Sequence, residues 1–485
     1  MNQPNIVLIM ADQFRGDCLG IAGHPDVQTP HLDTLAAQGV RFENAYSACP
    51  SCIAARAALM TGRAQENHGR VGYRDMVTWN YADTLASTLS EIGYYTQCVG
   101  KMHVHPLRNL LGFHHVDLHD GALTNYRSPD MAYAEHQLEA DDYFHWYRQL
   151  RGAQADIGET GLDCNAWVAR PWMDEEQTHP TNWVTSRSID FLRRRDPRKP
   201  FFLMASYVRP HPPLDAPAHY FDLYMQRALT PPPVGDWADS ARMEKHGRIH
   251  DSMTGPSDPA LRRMMQVGYY ACITHLDHQI GRLLHAFEAR KLLDNTVFLF
   301  TSDHGEELGD HLQFRKTMPT QGSCHIPLLI SGRPLGLSQP SNRVCSAVAE
   351  LRDILPTCLD LAGRPNPARV DGQSLLPLAL GQKRALRPWL HGEHAAGALS
   401  NHWIVTETEK YVWFSQSGRE LYFRLDEDPH ELHNRADDAD CAAAVSRLRD
   451  ALIQSLDGRE EGYTDGERLI PGQTPRAVLP NAELP

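Results

Sequence analysis

Short apolar runs without polar alternation punctuate the chain at Asn5–Met10, Phe201–Val208, Thr296–Thr301 and Ile326–Ser331. Uninterrupted runs of this length predict strands covered on both faces, as in parallel sheets. Between them, apolar residues recur at helical spacing over Pro30–Gln38, Tyr81–Ile92, Asn182–Arg195 and Leu261–Arg290. Strands alternating with helices predict a doubly wound α/β sheet. The pattern changes near Arg384–Gly392. Beyond it, Trp403–Thr408 and Lys410–Phe414 read as antiparallel strands, followed by Glu420–Leu425 and a helix at Ala442–Leu456. The expected organisation is a large α/β domain over residues 1–383, a smaller α+β subdomain over 384–470 with a small antiparallel sheet and a helix, and a Pro-rich tail over 471–485. That tail reads as flexible or as an arm packed on a partner subunit, as in a homodimer or tetramer. Two stretches, Arg151 to Pro180 and Thr230 to Pro259, read as loop insertions of the kind that wall or cover a site.

Three of the predicted strands end in polar clusters: Asp12-Gln13, Arg209-Pro210-His211 and Ser302-Asp303-His304-Gly305. Open α/β sheets bind ligands beyond the carboxyl ends of their strands, so these clusters predict an enzyme site on one rim. Asp12, Gln13 and Asp303 supply the oxygen donors that calcium or magnesium takes. A His304 ligand would tilt the site towards manganese. Each cluster taken alone could instead cap a turn or a helix. The Ala-rich segment after Cys52 predicts a helix stopped by Gly62, with Cys52 at its N-terminus. The helix dipole there favours a thiolate or a bound oxyanion, and Arg56 lies one turn on along the same face. The other reading is a buried cysteine on a core helix.

Composition narrows the picture. With 485 residues, 42% of them hydrophobic, the chain is far from disordered or collagen-like classes. A formal charge of -13 disfavours nucleic-acid and anionic-membrane partners. It also disfavours an anionic substrate unless positive charge is concentrated locally. The 10 cysteines are scattered, and the single C-x-x-C pair, Cys49 and Cys52, has no second pair to complete a zinc site. Most of the 26 histidines, including His114-His115, read as ordinary polar residues. The N-terminal apolar run is too short for a signal peptide and no run approaches a membrane span, so a cytoplasmic protein is expected.

Cys52-x-Ala54-x-Arg56 followed by Leu59-Met60-Thr61-Gly62-Arg63 resembles the sulfatase signature, with Ala54 where the family usually has Pro or Ser. Gly93-Tyr94-Tyr95-Thr96-Gln97-Cys98-Val99-Gly100-Lys101-Met102-His103 resembles its second signature. Thr29-Pro30-His31-Leu32-Asp33, Pro210-His211-Pro212-Pro213, Ser302–Glu306, Asp371–Pro377 and Glu420-Leu421-Tyr422 with Asp428-Pro429 extend the likeness over most of the chain.

The resemblance implies an alkaline-phosphatase-like fold with a mixed, mostly parallel sheet, and hydrolysis of sulfate monoesters. It implies that a formylglycine-generating or maturase enzyme converts Cys52 to formylglycine. It implies one divalent cation, calcium before manganese or magnesium, held by Asp12, Gln13, residue 52, Asp303 and His304. Arg56 and Lys101 would stabilise the nucleophile, with Asp303 as its base. His211 and Lys316, the latter with Arg315 as a rival, would serve sulfate and the leaving alcohol. His103 would take the proton that expels sulfate. The substrate would be a small-molecule or saccharide sulfate ester: aryl, alkyl, choline or sugar. Two other readings stand beside this one. Asp12-Gln13 and Arg209-Pro210-His211-Pro212-Pro213 are also similar to phosphonate monoester hydrolases and phosphodiesterases of the same superfamily, which generally lack the counterparts of Lys101 and His103. A binding protein with unmodified Cys52 is the other.

Overall fold

The computed structural model describes residues 3–121, 138–162, 164–166, 168–240, 255–337 and 341–483. Its first part carries strands β1 (Asn5–Asp12), β2 (Gly39–Phe42), β3 (Ala45–Tyr46), β4 (Tyr95–Gly100), β5 (His115–Leu118), β6 (Phe201–Pro210), β7 (Thr296–Ser302), β8 (Leu328–Ser331), β9 (Arg343–Cys345) and β10 (Ala349–Glu350). Eight of them form one sheet in the order β5-β4-β6-β1-β7-β8-β2-β9, and β3 pairs with β10 in a sheet of two. From β5 through β7 every neighbour is parallel. The mixed, mostly parallel α/β class expected from the sequence is therefore the fold observed.

β8 departs from the expectation of a parallel strand at Ile326–Ser331: it runs antiparallel to both β7 and β2. The chain leaves the carboxyl end of β7, forms the loop that carries the site residues, and re-enters beside β7 from the same end. A return without a crossover helix can only be antiparallel. Its apolar run looked like those of its neighbours because helices cover both faces there too.

Strand alternation sorts the core into two layers. Val7, Ile9 and Ala11 of β1 join the cluster with Tyr269, Ile273 and Leu276 of the helix Pro259–Ala289 and with Trp183 and Leu192 of the helix Pro180–Arg194. Ile6, Leu8 and Met10 face the other way, towards Ala55 and Leu59 of the helix Cys52–Thr61, Leu85 and Leu89 of the helix Leu85–Glu91, and Leu355 and Leu359 of the helix Ile354–Leu361. The central strand is thus fixed from both sides, and Asp12 at its end inherits that rigidity.

The C-terminal part is a four-stranded antiparallel sheet in sequential order: β11 (Leu390–His394), β12 (Asn401–Val405), β13 (Glu409–Phe414) and β14 (Glu420–Arg424). β11 was not anticipated, because Gly392 and three polar residues interrupt its apolar pattern. The helix Ala442–Leu456 covers one face through Val445, Leu448, Leu452 and Leu456. Trp403, Val412, Leu421 and Phe423 turn the opposite face onto Tyr46, Met318 and Cys324 of the larger part. There the Lys410 ammonium lies 2.8 Å from Glu431, both wholly buried, and Glu431 also accepts from the Gln321 amide.

The tail packs on its own chain instead of reaching away. Val71 N–H donates to Ala477 at 3.0 Å, Leu479 N–H to Gly69 at 2.7 Å, and Asn481 reaches Glu66. Of the two expected insertions, Arg151 to Pro180 packs inward through Trp172, while residues 241–254 of the other lie outside the described residues. Pro233 and Gly235 of the latter bond His311, and Trp237 donates to Glu431 O at 2.7 Å. No helix among the described residues is long and apolar enough to cross a membrane.

Candidate active site

The site forms where β1, β4, β6 and β7 end. β1 delivers Asp12 and Gln13, β6 leads to His211, and β7 leads to Asp303 and His304. β4 delivers Lys101 after Gly100, whose φ of 102° suits glycine. A Cβ there would also lie 1.9 Å from the Ser206 carbonyl, which accepts from Lys101 N–H. Cys52 opens the helix Cys52–Thr61, and Gly62 closes it in the left-handed conformation, as the sequence predicted.

Cys52 Sγ is the focus. It lies 3.1 Å from His304 Nε2, 3.3 Å from Lys316 Nζ and 3.6 Å from Asp12 Oδ1. Lys101 Nζ pairs with the other Asp12 oxygen. Burial and Asp12 would raise the Cys52 pKa, but Lys101, Lys316 and His304 hold the thiol well below its ordinary value. The same cations, with His211, hold Asp12 well below the carboxylate range against its burial. Asp303 is pushed up, first by burial and then by Asp12 beside it.

Arg56, wholly buried, donates from Nε to Asp303 at 3.0 Å and from Nη1 to Lys101 O at 2.8 Å and Ser206 Oγ at 3.0 Å. Its Nη2 has no hydrogen-bond partner among the described residues. Lys316 reaches the centre: Nζ donates to Gln13 Oε1 at 2.9 Å and lies 3.3 Å from Cys52 Sγ, while the Arg315 backbone N–H goes to Glu306. His211 Nδ1 contacts the Pro212 carbonyl at 2.8 Å, which assigns the proton to Nδ1 and leaves Nε2 as the acceptor. Burial and Lys316 push the His211 pKa well below its ordinary value, so the ring is neutral. His103 is wholly buried and faces Asp75 at 3.6 Å.

These donors suit a divalent cation. One ligand atom each from Asp12, Cys52, Asp303 and His304 lies within 4.8 Å of the others, all buried. Gln13 Nε2 donates to Glu306, so its carbonyl oxygen turns towards the cluster. Two buried carboxylates, an amide oxygen and an imidazole in one enclosure form an oxygen-rich cradle for a hard cation.

Several contributors went unassigned in the sequence. Glu306 belongs to the quoted Ser302–Glu306 motif, yet its part as a tie between Gln13, Leu308 and Arg315 shows only in the fold. Asp120 follows β5 in the same strand-end pattern that flagged Asp12, but the strand was too short to recognise. His394 closes β11, is almost fully buried, and is pushed to about 3 by burial with His304 and Lys316 nearby. Nothing in the local sequence separates it from the other histidines.

Residues 4–364 match the Sulfatase family model, and residues 309–457 match the model for the C-terminal region of N-sulphoglucosamine sulphohydrolase. The chain is 50% identical to an arylsulfatase of Clostridium perfringens over 97% of this chain and 98% of that one. It is 30% identical to the multifunctional alkaline phosphatase superfamily protein PehA of Trinickia caryophylli, covering 95% of this chain and 96% of that one. Among solved structures, the phosphonate monoester hydrolase of Agrobacterium radiobacter superposes with a TM-score of 0.76 at 26% identity, over 93% of this chain and 95% of that one. A chain that matches the Sulfatase family model over residues 4–364 and an arylsulfatase at 50% identity along nearly its whole length belongs to the sulfatase family, enzymes that hydrolyse sulfuric esters.

Proposed function

We propose that the protein hydrolyses aryl sulfates through a formylglycine at position 52 and a divalent cation, calcium by its donor set. The observation that carries this reading is the convergence of Lys101, Lys316, Arg56, Asp12 and Asp303 around residue 52 at a helix N-terminus. The cation would supply Lewis acidity towards a sulfate oxygen, and the hydrated aldehyde a nucleophilic hydroxyl. Asp12, Gln13, Asp303 and His304 would hold the cation. Asp303 is the carboxylate placed to take a proton at position 52. Arg56 Nη2, without a hydrogen-bond partner among the described residues, would steady the nucleophile's oxygen, and Lys101 would bind the developing charge. Proton delivery to the leaving alcohol falls to Lys316. The neutral His211 instead offers Nε2 as a hydrogen-bond acceptor. His103 would take the second hydroxyl's proton, expelling sulfate.

Cys52 is 1% exposed, so a converting enzyme must reach it before this helix packs. Mass spectrometry of the peptide spanning residue 52, from protein made with and without a converting enzyme, tests the reading alongside release of phenol from an aryl sulfate. Conversion and activity should rise together. An active protein carrying an intact thiol, or an active Cys52→Ala variant, would refute it; an inactive native protein with an intact thiol would favour a binding role. The likeness to the phosphonate monoester hydrolase supports a second, weaker activity on phosphonate monoesters. The kcat/KM for an aryl sulfate should exceed that for a phenyl phosphonate, and the reverse order would exchange the two assignments.

A further inference from the structure

The imidazole of His103 is wholly buried, yet neither ring nitrogen meets a hydrogen-bond partner among the described residues. A buried polar group in that state costs free energy, and its persistence points to a use. Its backbone is held in the left-handed region, at φ 59°, by Asp120. The Asp120 Oδ1 accepts from the Met102 and His103 amides at 2.8 and 2.9 Å. This turn fixes the direction of the side chain but not the rotation of its ring.

The group facing the ring comes from a different segment. Asp75 Oδ2 lies 3.6 Å from His103 Nε2. That is beyond a hydrogen bond, but a small shift closes it, and such contacts commonly tighten only when substrate is bound. Tyr73 meets the same ring at 6.1 Å between centroids with planes 65° apart. Tyr73 and Met76 point outward, 46% and 52% exposed, whereas the Asp75 side chain is turned inward, 16% exposed. The loop is anchored on the C-terminal part, where Ala395 N–H donates to Val71 O at 2.8 Å.

We propose that Asp75 is a positioning residue for His103. Its carboxylate orients the ring through Nε2, leaves Nδ1 as the proton acceptor, and stabilises the imidazolium that forms. The inference rests on the role proposed above for His103. In that step Nδ1 takes the proton from the free hydroxyl of sulfated residue 52. The O–H electron pair becomes the second C–O bond of the aldehyde. The C–O bond to sulfate breaks, and sulfate leaves with the electron pair of that broken bond. Asp75 stays ionised throughout, and the proton passes from His103 to solvent.

The test uses full-length protein, with conversion of residue 52 verified by mass, in four forms: wild type, Asp75→Asn, Asp75→Glu and His103→Ala. Each is mixed rapidly with a chromogenic aryl sulfate, quenched, and the residue-52 peptide weighed. For Asp75→Asn, the first-turnover burst of phenol should persist and KM should not rise. Its kcat should fall on the order of 10–100-fold, and the peptide should carry covalent sulfate. Asp75→Glu should recover part of kcat and lose the trapped sulfate. His103→Ala should trap sulfate most completely. The proposal is overturned if Asp75→Asn turns over like wild type. It is equally overturned if that variant loses burst and turnover together with no trapped sulfate while His103→Ala traps it. Failure of His103→Ala to trap sulfate would instead remove the underlying role of His103, and the proposal with it.

Discussion

Replacing Arg56 with methionine tests whether the site's electrostatics hold the fold as well as the substrate. The thioether fills the space of the aliphatic stem, so the loss is electrostatic and not a cavity. Asp303 loses its partner at 3.0 Å, and both groups are wholly buried. Breaking such a pair from one side costs about 3–5 kcal/mol, because the remaining charge stays buried and unpaired. The Lys101 carbonyl and Ser206 hydroxyl each lose a donor, at about 1 kcal/mol apiece, and burial of the methionine tip offsets about 1–2 kcal/mol. The net loss is about 3–6 kcal/mol, a large part of a typical stability of about 5–15 kcal/mol. Urea titrations followed by circular dichroism, on chelator-treated wild type, Arg56→Met, Asp303→Asn and the double variant, measure it. The double variant should be at least about 2 kcal/mol more stable than the sum of the single losses, since removing both charges leaves neither stranded. Single losses that add within about 0.5 kcal/mol would show that the pair carries no coupling and would refute the reasoning.

Chelation should destabilise the wild type, because a cation that binds only the folded cradle at 100 times its Kd contributes about 2.7 kcal/mol; a melting temperature indifferent to calcium, manganese and magnesium would count against the cradle. Asp277 caps the helix Pro30–Ala37 by accepting from His31 and Leu32, and its burial pushes it up to about 7. An acid with a raised folded pKa binds its proton more tightly when folded, so its stabilisation is complete below about pH 4 and is lost as pH rises to about 7. Asp277→Asn should therefore flatten the stability–pH slope across that window by about 2–4 kcal/mol, and parallel slopes for the two proteins would contradict this. Lys410→Met should cost about 3–5 kcal/mol by stranding Glu431 at the junction of the two sheets, with much of it restored in Lys410→Met/Glu431→Gln. If the double variant melts no higher than the single one, the pair is not what joins the sheets.

The sequence made the strand ends legible because two signals coincide there. An apolar run reports a strand covered on both faces, and an abrupt polar cluster reports where it leaves the sheet. Asp12, His211 and Asp303 could therefore be placed on one rim before any coordinates. Cys52 and Arg56 were placed by helical spacing, and the helix runs from Cys52 to Thr61 as read. Lys316 stands apart: it sits in an irregular loop with positive φ at Arg315 and Thr317, where no period links sequence to direction. Only the resemblance pointed to it, and only the fold shows its Nζ beside residue 52. The direction of β8 was hidden for a related reason, since apolar pattern reports burial and not polarity of the chain. Asp75 and His394 lie near neighbours distant in sequence, so their local surroundings carry no mark of the site, while Glu306 and Asp120 stand in marked stretches whose pairing only the fold reveals.

The formal charge of -13 and an anionic substrate are reconciled by where the charges lie. Arg56, Lys101 and Lys316 face Asp12, Asp303 and Glu306, all at most 6% exposed, so the protein's own buried cations and carboxylates balance. On the proposed mechanism, converting Cys52 to an aldehyde would remove the thiolate that would otherwise tip this balance. A divalent cation in the cradle would then leave the enclosure positive within a protein of net negative charge, which would disfavour polyanions without excluding a small ester. A sulfate monoester and a phosphonate monoester each bring one negative charge to that field. Charge therefore cannot rank the two substrates, and the relatives' mixture of sulfatase and phosphonate hydrolase names follows naturally. On the proposed roles, discrimination would arise after binding, where Lys101 would meet the developing charge and His103 would release the product. On this reasoning, variants at His103 should narrow the gap between the two substrates, whereas Arg56 variants should slow both alike.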